Sequence, residues 1–185
     1  MAVYHPQGSF LVRSRDDGAQ WGEPSLVAEK MNETALLALP NGYLMAVMRG
    51  EDAQQALHST HSTDGGFTWS PPVQITGARQ HPADLVLLSD GTILLTYGNR
   101  NPPYRIEGLA SRDGGQTWLD CLLTFSGALY GYNVDSARPS DLGYPSTVVR
   151  ADIATGVTLY YYNPSINKPW QWAKREQEAR YAVSD

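Results

Sequence analysis

Cysteine occurs once in the 185 residues, at Cys121, so no disulfide can close within the chain. Thiol usage therefore leaves the redox compartment unread. Its neighbours in Cys121-Leu122-Leu123 are apolar, which predicts a buried, inert thiol. No apolar run is long enough to span a membrane, so no membrane partner is expected. Charge is sparse: 18% of residues are charged, the formal net charge is −5, and the basic residues are scattered. That excludes the electrostatic footprint of a nucleic-acid binder. Histidine is scarce too. His58 and His61 are three apart, a spacing that puts them on opposite faces of a strand. No shared metal and no cofactor are expected. The start, Met1-Ala2-Val3-Tyr4-His5-Pro6, carries no signal-peptide pattern.

What the chain does have is a repeated turn. Ser62-Thr63-Asp64-Gly65-Gly66-Phe67-Thr68-Trp69 and Ser111-Arg112-Asp113-Gly114-Gly115-Gln116-Thr117-Trp118 both fit S-x-D-x-G-x-T-W. Ser14-Arg15-Asp16-Asp17-Gly18-Ala19-Gln20-Trp21 is a weaker copy, with Gln20 in place of Thr. Their first residues are 62 − 14 = 48 and 111 − 62 = 49 apart. A period of that size with strand-like flanks predicts a radial or solenoid repeat. Within each copy the Asp is expected to accept backbone N–H groups and Gly to supply positive φ. The Trp then opens the next strand with a large face to bury. The motif is thus a turn device and not a site.

The boxes set the register of four-stranded units. Thr34–Leu39, the turn Pro40-Asn41-Gly42, Tyr43–Met48, Ala56–Ser62, the second box and Trp69–Ile75 form one unit. Asp84–Leu88, the turn Ser89-Asp90-Gly91, Thr92–Tyr97, Arg105–Ser111, the third box and Trp118–Phe125 form the next. A third begins at Tyr144–Val149, returns as Val157–Tyr162 and continues at Ala179–Val183. At the front, Phe10–Ser14, the first box and Trp21–Val27 supply half a unit. The expected organisation is therefore a half blade over 1–30, blades over 31–80 and 81–130, and an incomplete blade over 141–185. Between the later strands, Trp170 and Trp172 are read either as sugar-stacking rings or as rim packing. Lys174–Glu178 is read as a solvated helical turn.

These Asp boxes resemble those of the sialidase-type β-propellers. The resemblance implies an all-β fold, a six-bladed propeller of which this chain supplies about three blades of four-stranded antiparallel sheet. A closed ring at this period needs roughly 300 residues, so either the chain is a fragment or two copies form a homodimer that closes the ring. The resemblance extends to chemistry. Retaining sialidases carry a Glu at an inner-strand start and an Arg sixteen residues on, a spacing kept by Glu33 and Arg49 (49 − 33 = 16). They also carry a Gly-Tyr segment, matched here by Gly143-Tyr144. The resemblance implies Tyr144 as nucleophile, Glu33 as its base and electrostatic partner, and Arg49 as one arm of an arginine cluster. Asp84 and Arg100 are read as the matching positions of the middle blade, give or take two residues. The run Gly98–Ile106 should supply another arginine, Arg100 in preference to Arg105.

The residue types suit an acidic sugar. Sialic acid bears a carboxylate at its anomeric carbon, which would repel a carboxylate nucleophile, and sialidases use Tyr instead. A phenol with an ordinary pKa near 10 needs a base beside it, and arginines bind a carboxylate in bidentate fashion. The expected function is removal of a terminal sialic acid or related acidic sugar from a glycan. Family members are often exported, which implies a secreted or periplasmic location. Three departures are expected to matter. The family's acid/base Asp and first Arg would precede residue 1, and Tyr160 stands where the family has a Glu. The alternative is a non-catalytic propeller module that binds glycan or protein. The structural alternatives for the site are a packing role for Tyr144, a solvated turn for Glu33, and an ion pair of Arg49 with Glu51 or Asp52.

Overall fold

The computed structural model describes residues 1–102, 104–121, 123–125, 141–149, 155–163 and 178–181. All regular structure among them is β-strand. Trp170, Trp172 and residues 174–177 of the expected helical turn lie outside the described residues, as does the side chain of Cys121. Glu178, expected at the end of that turn, begins a strand instead.

The chain forms two compact units, Met1–Ala78 and Arg79–Asp185. The first unit holds a three-stranded sheet of β1 (Ala2–His5), β2 (Gly8–Arg13) and β3 (Gly22–Glu29) in the order β1-β2-β3. It also holds a four-stranded sheet of β4 (Met31–Ala38), β5 (Leu44–Gly50), β6 (Leu57–Ser62) and β7 (Val73–Gln74), paired in chain order. The second unit repeats the pattern with β8 (Gln80–Leu87), β9 (Ile93–Asn99), β10 (Arg105–Ser111) and β11 (Leu119–Cys121). Its other sheet runs β13 (Asp141–Val149), β14 (Thr155–Asn163), β15 (Glu178–Tyr181), β12 (Leu123–Phe125). All ladders are antiparallel.

Two expectations change here. The front piece has three strands rather than two, because Ala2–His5 folds back on Gly8–Leu11 across a short turn. The stretch read as one strand from Trp118 to Phe125 divides: 119–121 pairs with β10, and 123–125 pairs with β15.

The repeated turns hold themselves together. In the second copy, Gly66 N donates to Ser62 Oγ at 2.8 Å, and Phe67 N and Thr68 N donate to Asp64 Oδ1 at 3.0 Å. Thr68 Oγ1 donates to Asp64 Oδ2 at 2.6 Å, and Trp69 Nε1 closes on Gly66 O at 3.0 Å. The third copy repeats the Ser111 and Asp113 bonds at 2.5–3.0 Å. The first lacks the threonine hydroxyl, yet Gln20 N still reaches Asp16 Oδ1 at 2.8 Å. These bonds hold Asp64 and Asp113 well below the usual carboxylate range, the threonine hydroxyl contributing most.

In the β4–β7 and β8–β11 sheets the second strand is the core. Met45, Ala46, Val47 and Met48 of β5 are fully buried. In β9 every residue from Ile93 to Asn99 is buried. A strand covered on both faces loses polar alternation, which is why LMAVM and ILLTY read as apolar runs. In the first unit, Ala46 and Met48 meet Leu11, Val27 and Ala28 of the preceding sheet. In the second, Tyr104, Ile106 and Leu142 form a smaller cluster, with Tyr160 packed against it.

Candidate functional site

Each inner strand starts with the same irregularity. In β4 the register moves from Asn32↔Arg49 to Ala35↔Val47, in β8 from Gln80↔Asn99 to Ala83↔Tyr97, and in β13 from Gly143↔Tyr161 to Ser146↔Leu159. One extra residue enters each inner strand, and such a bulge re-aims a side chain. Glu33 and Tyr144 take up the bulge with φ of 38° and 48°. That left-handed backbone costs a non-glycine residue on the order of 1–3 kcal/mol, and the surrounding ladder must hold it in place.

In the first unit, the bulge brings Glu33 and Arg49 together. Arg49 Nη1 lies 3.1 Å from Glu33 Oε2, with 22% and 12% of the two side chains exposed. Arg49 Nε donates to Asn32 Oδ1 at 2.7 Å, and Asn32 Nδ2 donates to Glu51 Oε1 at 3.0 Å. Arg49 is thus bound directly to Glu33, and Glu51 is reached only through Asn32. Asn32 is buried and both ends of its amide are engaged. The formal sequon Asn32-Glu33-Thr34 therefore offers no accessible acceptor in this fold.

In the second unit, the ladder register places His81 at the position of Glu33 and Asn99 at that of Arg49. Asp84 and Arg100, expected to match within two residues, stand three and one residues beyond those positions (84 − 81 and 100 − 99). The inner strands begin before the point where apolar alternation becomes visible, and the bulge absorbs the difference. Asp84 pairs across from Thr96, inside the regular ladder. Its Oδ2 accepts Thr147 N at 2.6 Å, tying β8 to β13. Burial pushes the Asp84 carboxyl up, against the lowering effect of that hydrogen bond.

Arg100 reaches the start of β13. Its Nε donates to Leu142 O at 3.0 Å and its Nη2 to the Tyr161 hydroxyl at 3.2 Å. Tyr161 lies across from Gly143, and its ring centroid is 5.9 Å from that of Tyr144, tilted by 32°. Tyr144 is 54% exposed. Arg105 is held elsewhere: its Nε and Nη2 both lie 2.6 Å from Glu107 Oε1. Glu107 also accepts from Asn99 at 2.9 Å and Gln80 at 3.1 Å. Burial, and then the Glu107 charge, pushes the Tyr97 phenol far above its ordinary value.

The structure thus joins Glu33 with Arg49 in one unit, and Arg100 with the Tyr144 segment in the other. Asn32 and Tyr161 are the site-forming residues that sequence reasoning missed. Tyr161 had a signal in the alternation of the strand, which puts its ring on the opposite face from Tyr160. Tyr160, where a Glu was expected from the resemblance, is a packing residue against Tyr104, Ile106 and Leu142.

Comparison with known proteins follows this geometry. A protein of unknown function from Dyadobacter fermentans matches with a TM-score of 0.66 and 26% identity, over 92% of this chain and 44% of that one. An α-L-arabinofuranosidase from Fusarium graminearum, solved with an iminosugar inhibitor, matches with a TM-score of 0.53 and 21% identity, over 71% and 40%. An ulvan lyase of polysaccharide lyase family 25 matches with a TM-score of 0.57 and 12% identity, over 83% and 40%. The chain spans 40–44% of the length of these structures. No curated protein matches it. The fold they share with this chain is the β-propeller, built from four-stranded antiparallel blades like those described above. The BNR repeat-like domain matches residues 1–175, nearly the whole chain, and the chain belongs to that family.

Proposed function

We propose that the protein acts on glycans as an exo-glycoside hydrolase, removing a terminal sugar that carries a carboxylate. The observation that carries this reading is Tyr144. Its backbone is held in a left-handed bulge, its ring is half exposed, and an arginine is hydrogen-bonded to the ring beside it. Strained backbone at a solvent-facing phenol is the kind of feature that supports a functional role. The structural likeness to glycan-acting propellers adds fold-level support.

In this proposal the Tyr144 oxygen bonds to the anomeric carbon as the bond to the leaving group breaks; the phenolic proton passes to solvent, and the leaving oxygen takes up a proton from solvent and departs as an alcohol. Water then cleaves the glycosyl–tyrosine bond and restores the phenol. Arg100 supplies positive charge beside the ring. Glu33, held by Arg49, is the base of this reading.

The test is hydrolysis of 4-methylumbelliferyl α-N-acetylneuraminide by the full-length protein. Tyr144→Phe should lower kcat at least about a hundredfold, and Glu33→Gln by a comparable factor. Hydrolysis by Tyr144→Phe at the wild-type rate would exclude Tyr144 as nucleophile. A second reading, a glycan-binding module without turnover, is favoured by one observation. Arg49 spends its Nε and Nη1 on Asn32 and Glu33, within the protein. Sugar binding with no hydrolysis of any glycoside would select it.

A further inference from the structure

We propose that Tyr161 is a second ring of the sugar subsite, set against Tyr144 by Arg100, and that the pair binds one face of a sugar ring. The inference deepens the glycan reading above and rests on it for the class of ligand.

The geometry begins with Gly143. Residues directly opposite in an antiparallel ladder point to the same face, so Tyr161 stands on the face where Gly143 has no side chain. In a regular strand Tyr144 would point the other way. The bulge between Gly143 and Ser146 cancels that alternation, and the φ of 48° brings the Tyr144 ring to the Tyr161 ring. A β-carbon on Gly143 would lie 3.2 Å from both Arg100 Nη2 and Pro82 Cδ, so the space over Gly143 is taken by the Arg100 guanidinium. Arg100 then fixes both sides of the ladder at once, through Leu142 O on β13 and the Tyr161 hydroxyl on β14.

The result is two tilted aromatic faces and one guanidinium at the start of an inner strand. Packing against Tyr160, Tyr104 and Ile106 continues on the Leu142 side, so the strand beneath is anchored while Tyr144 stays half exposed. Rigid tyrosines with a polar tip, beside a small number of placed polar groups, suit a ring that has both C–H faces and hydroxyls. The shared ligand chemistry is a sugar ring. The test separates an acidic source from a neutral one.

The experiment is saturation-transfer NMR on the full-length protein with two probes, N-acetylneuraminic acid and methyl α-L-arabinofuranoside. Wild type should bind at least one probe. Tyr161→Ala should weaken that probe about tenfold. Tyr161→Phe keeps the ring and should retain affinity within about threefold. Thermal melts of both variants check the fold. If Tyr161→Ala melts like wild type and binds with unchanged affinity, the subsite assignment is wrong. If Tyr161→Ala does not fold, Tyr161→Leu, which keeps apolar bulk and loses the aromatic face, carries the test, and unchanged affinity in that variant overturns it. A positive binding result without hydrolysis of either probe's glycosides removes the hydrolase reading and leaves the subsite standing. A probe that binds through the anion alone would be recognised by equal affinity in Tyr161→Ala.

Discussion

Gly98 is the tightest point between the two inner-strand starts of the second unit, and a single methyl group tests it. A β-carbon at Gly98 would sit 3.0 Å from Gly143 Cα, 3.1 Å from His81 O and 3.3 Å from Leu142 Cδ1. Ordinary carbon contacts are about 3.5–4.0 Å, so the overlap is roughly half an ångström, and two of the three atoms are backbone. Overpacking of this kind costs about 1–3 kcal/mol. Gly98 is not among the positive-φ glycines, so alanine adds no backbone strain and gains about 0.4–1 kcal/mol from the less free unfolded chain. The net expectation for Gly98→Ala is a loss of about 1–2 kcal/mol, a five- to thirtyfold fall in the folding equilibrium. Gly22→Ala is the control. Gly22 also lies in a strand, has no atom within 4 Å of its would-be β-carbon and no positive φ, so it should be neutral or slightly stabilising. Urea unfolding followed by tryptophan fluorescence reads both, with the comparison made at equal m. If Gly98→Ala were as stable as Gly22→Ala, the close approach of the two strand starts would be refuted.

Three further outcomes follow from the polar groups. The turn carboxylates Asp64 and Asp113 have depressed folded-state pKa values, so their contribution is present above the unfolded value near pH 4 and is lost as pH falls through the folded one. Asp64→Asn or Asp113→Asn should lower stability at pH 7 and flatten the acid limb of a pH-resolved urea titration; an unchanged limb would contradict the hydrogen-bond assignment. Asp84 has the opposite sign: its raised pKa makes its ionisation unfavourable to the fold as pH rises through the folded value. Asp84→Asn, which keeps an acceptor for Thr147 N, should therefore be at least as stable as wild type at pH 7, and a clear loss would show that the charge itself is needed. Arg49→Ala should cost about 2–3 kcal/mol by removing the guanidinium that pairs with the largely buried Glu33 carboxylate. Arg49→Lys should recover only part of it, since lysine cannot also donate to Asn32 in the same plane; full recovery in a thermal melt would argue for charge alone.

The turns were legible in the sequence because every group they use lies within eight consecutive residues. Ser62, Asp64, Gly66, Thr68 and Trp69 bond to one another, and the distant contacts from Arg13 and Ser25 reach only the Gly65 and Gly66 carbonyls. The strand ladder was legible for the same reason wherever a short turn joined two strands, as at Asn41-Gly42 and Asp90-Gly91. The bulges were not. An extra residue in an inner strand shows only against its partner, and the partner of Gly143 is eighteen positions away at Tyr161 (161 − 143). Composition offered no help either, because Glu33, His81 and Tyr144 share a backbone position and no common chemistry. The Glu33–Arg49 spacing was readable as a pattern, yet Asn32, which orients Arg49, lay hidden inside a glycosylation sequon.

That contrast explains where this chain can carry chemistry. The turns satisfy their polar groups with their own backbone, so Asp64 and Asp113 have no proton to exchange near neutral pH and their carboxylate oxygens are already occupied. The bulges use backbone geometry to redirect a side chain and leave its functional end outside the ladder. Whether a bulge can hold a large polar group depends on the residue across from it. Arg49 stands across from Asn32 and can meet Glu33; Tyr161 stands across from Gly143 and can meet Tyr144. At the middle start the matching residues are His81 in the bulge and Asn99 on the facing strand, and both are buried. Beside them Gly98 has no room for a β-carbon, and the next inner strand approaches closely there. The position of Tyr144 rests on that approach: Gly98 and Pro82 are the surfaces against which Gly143 packs.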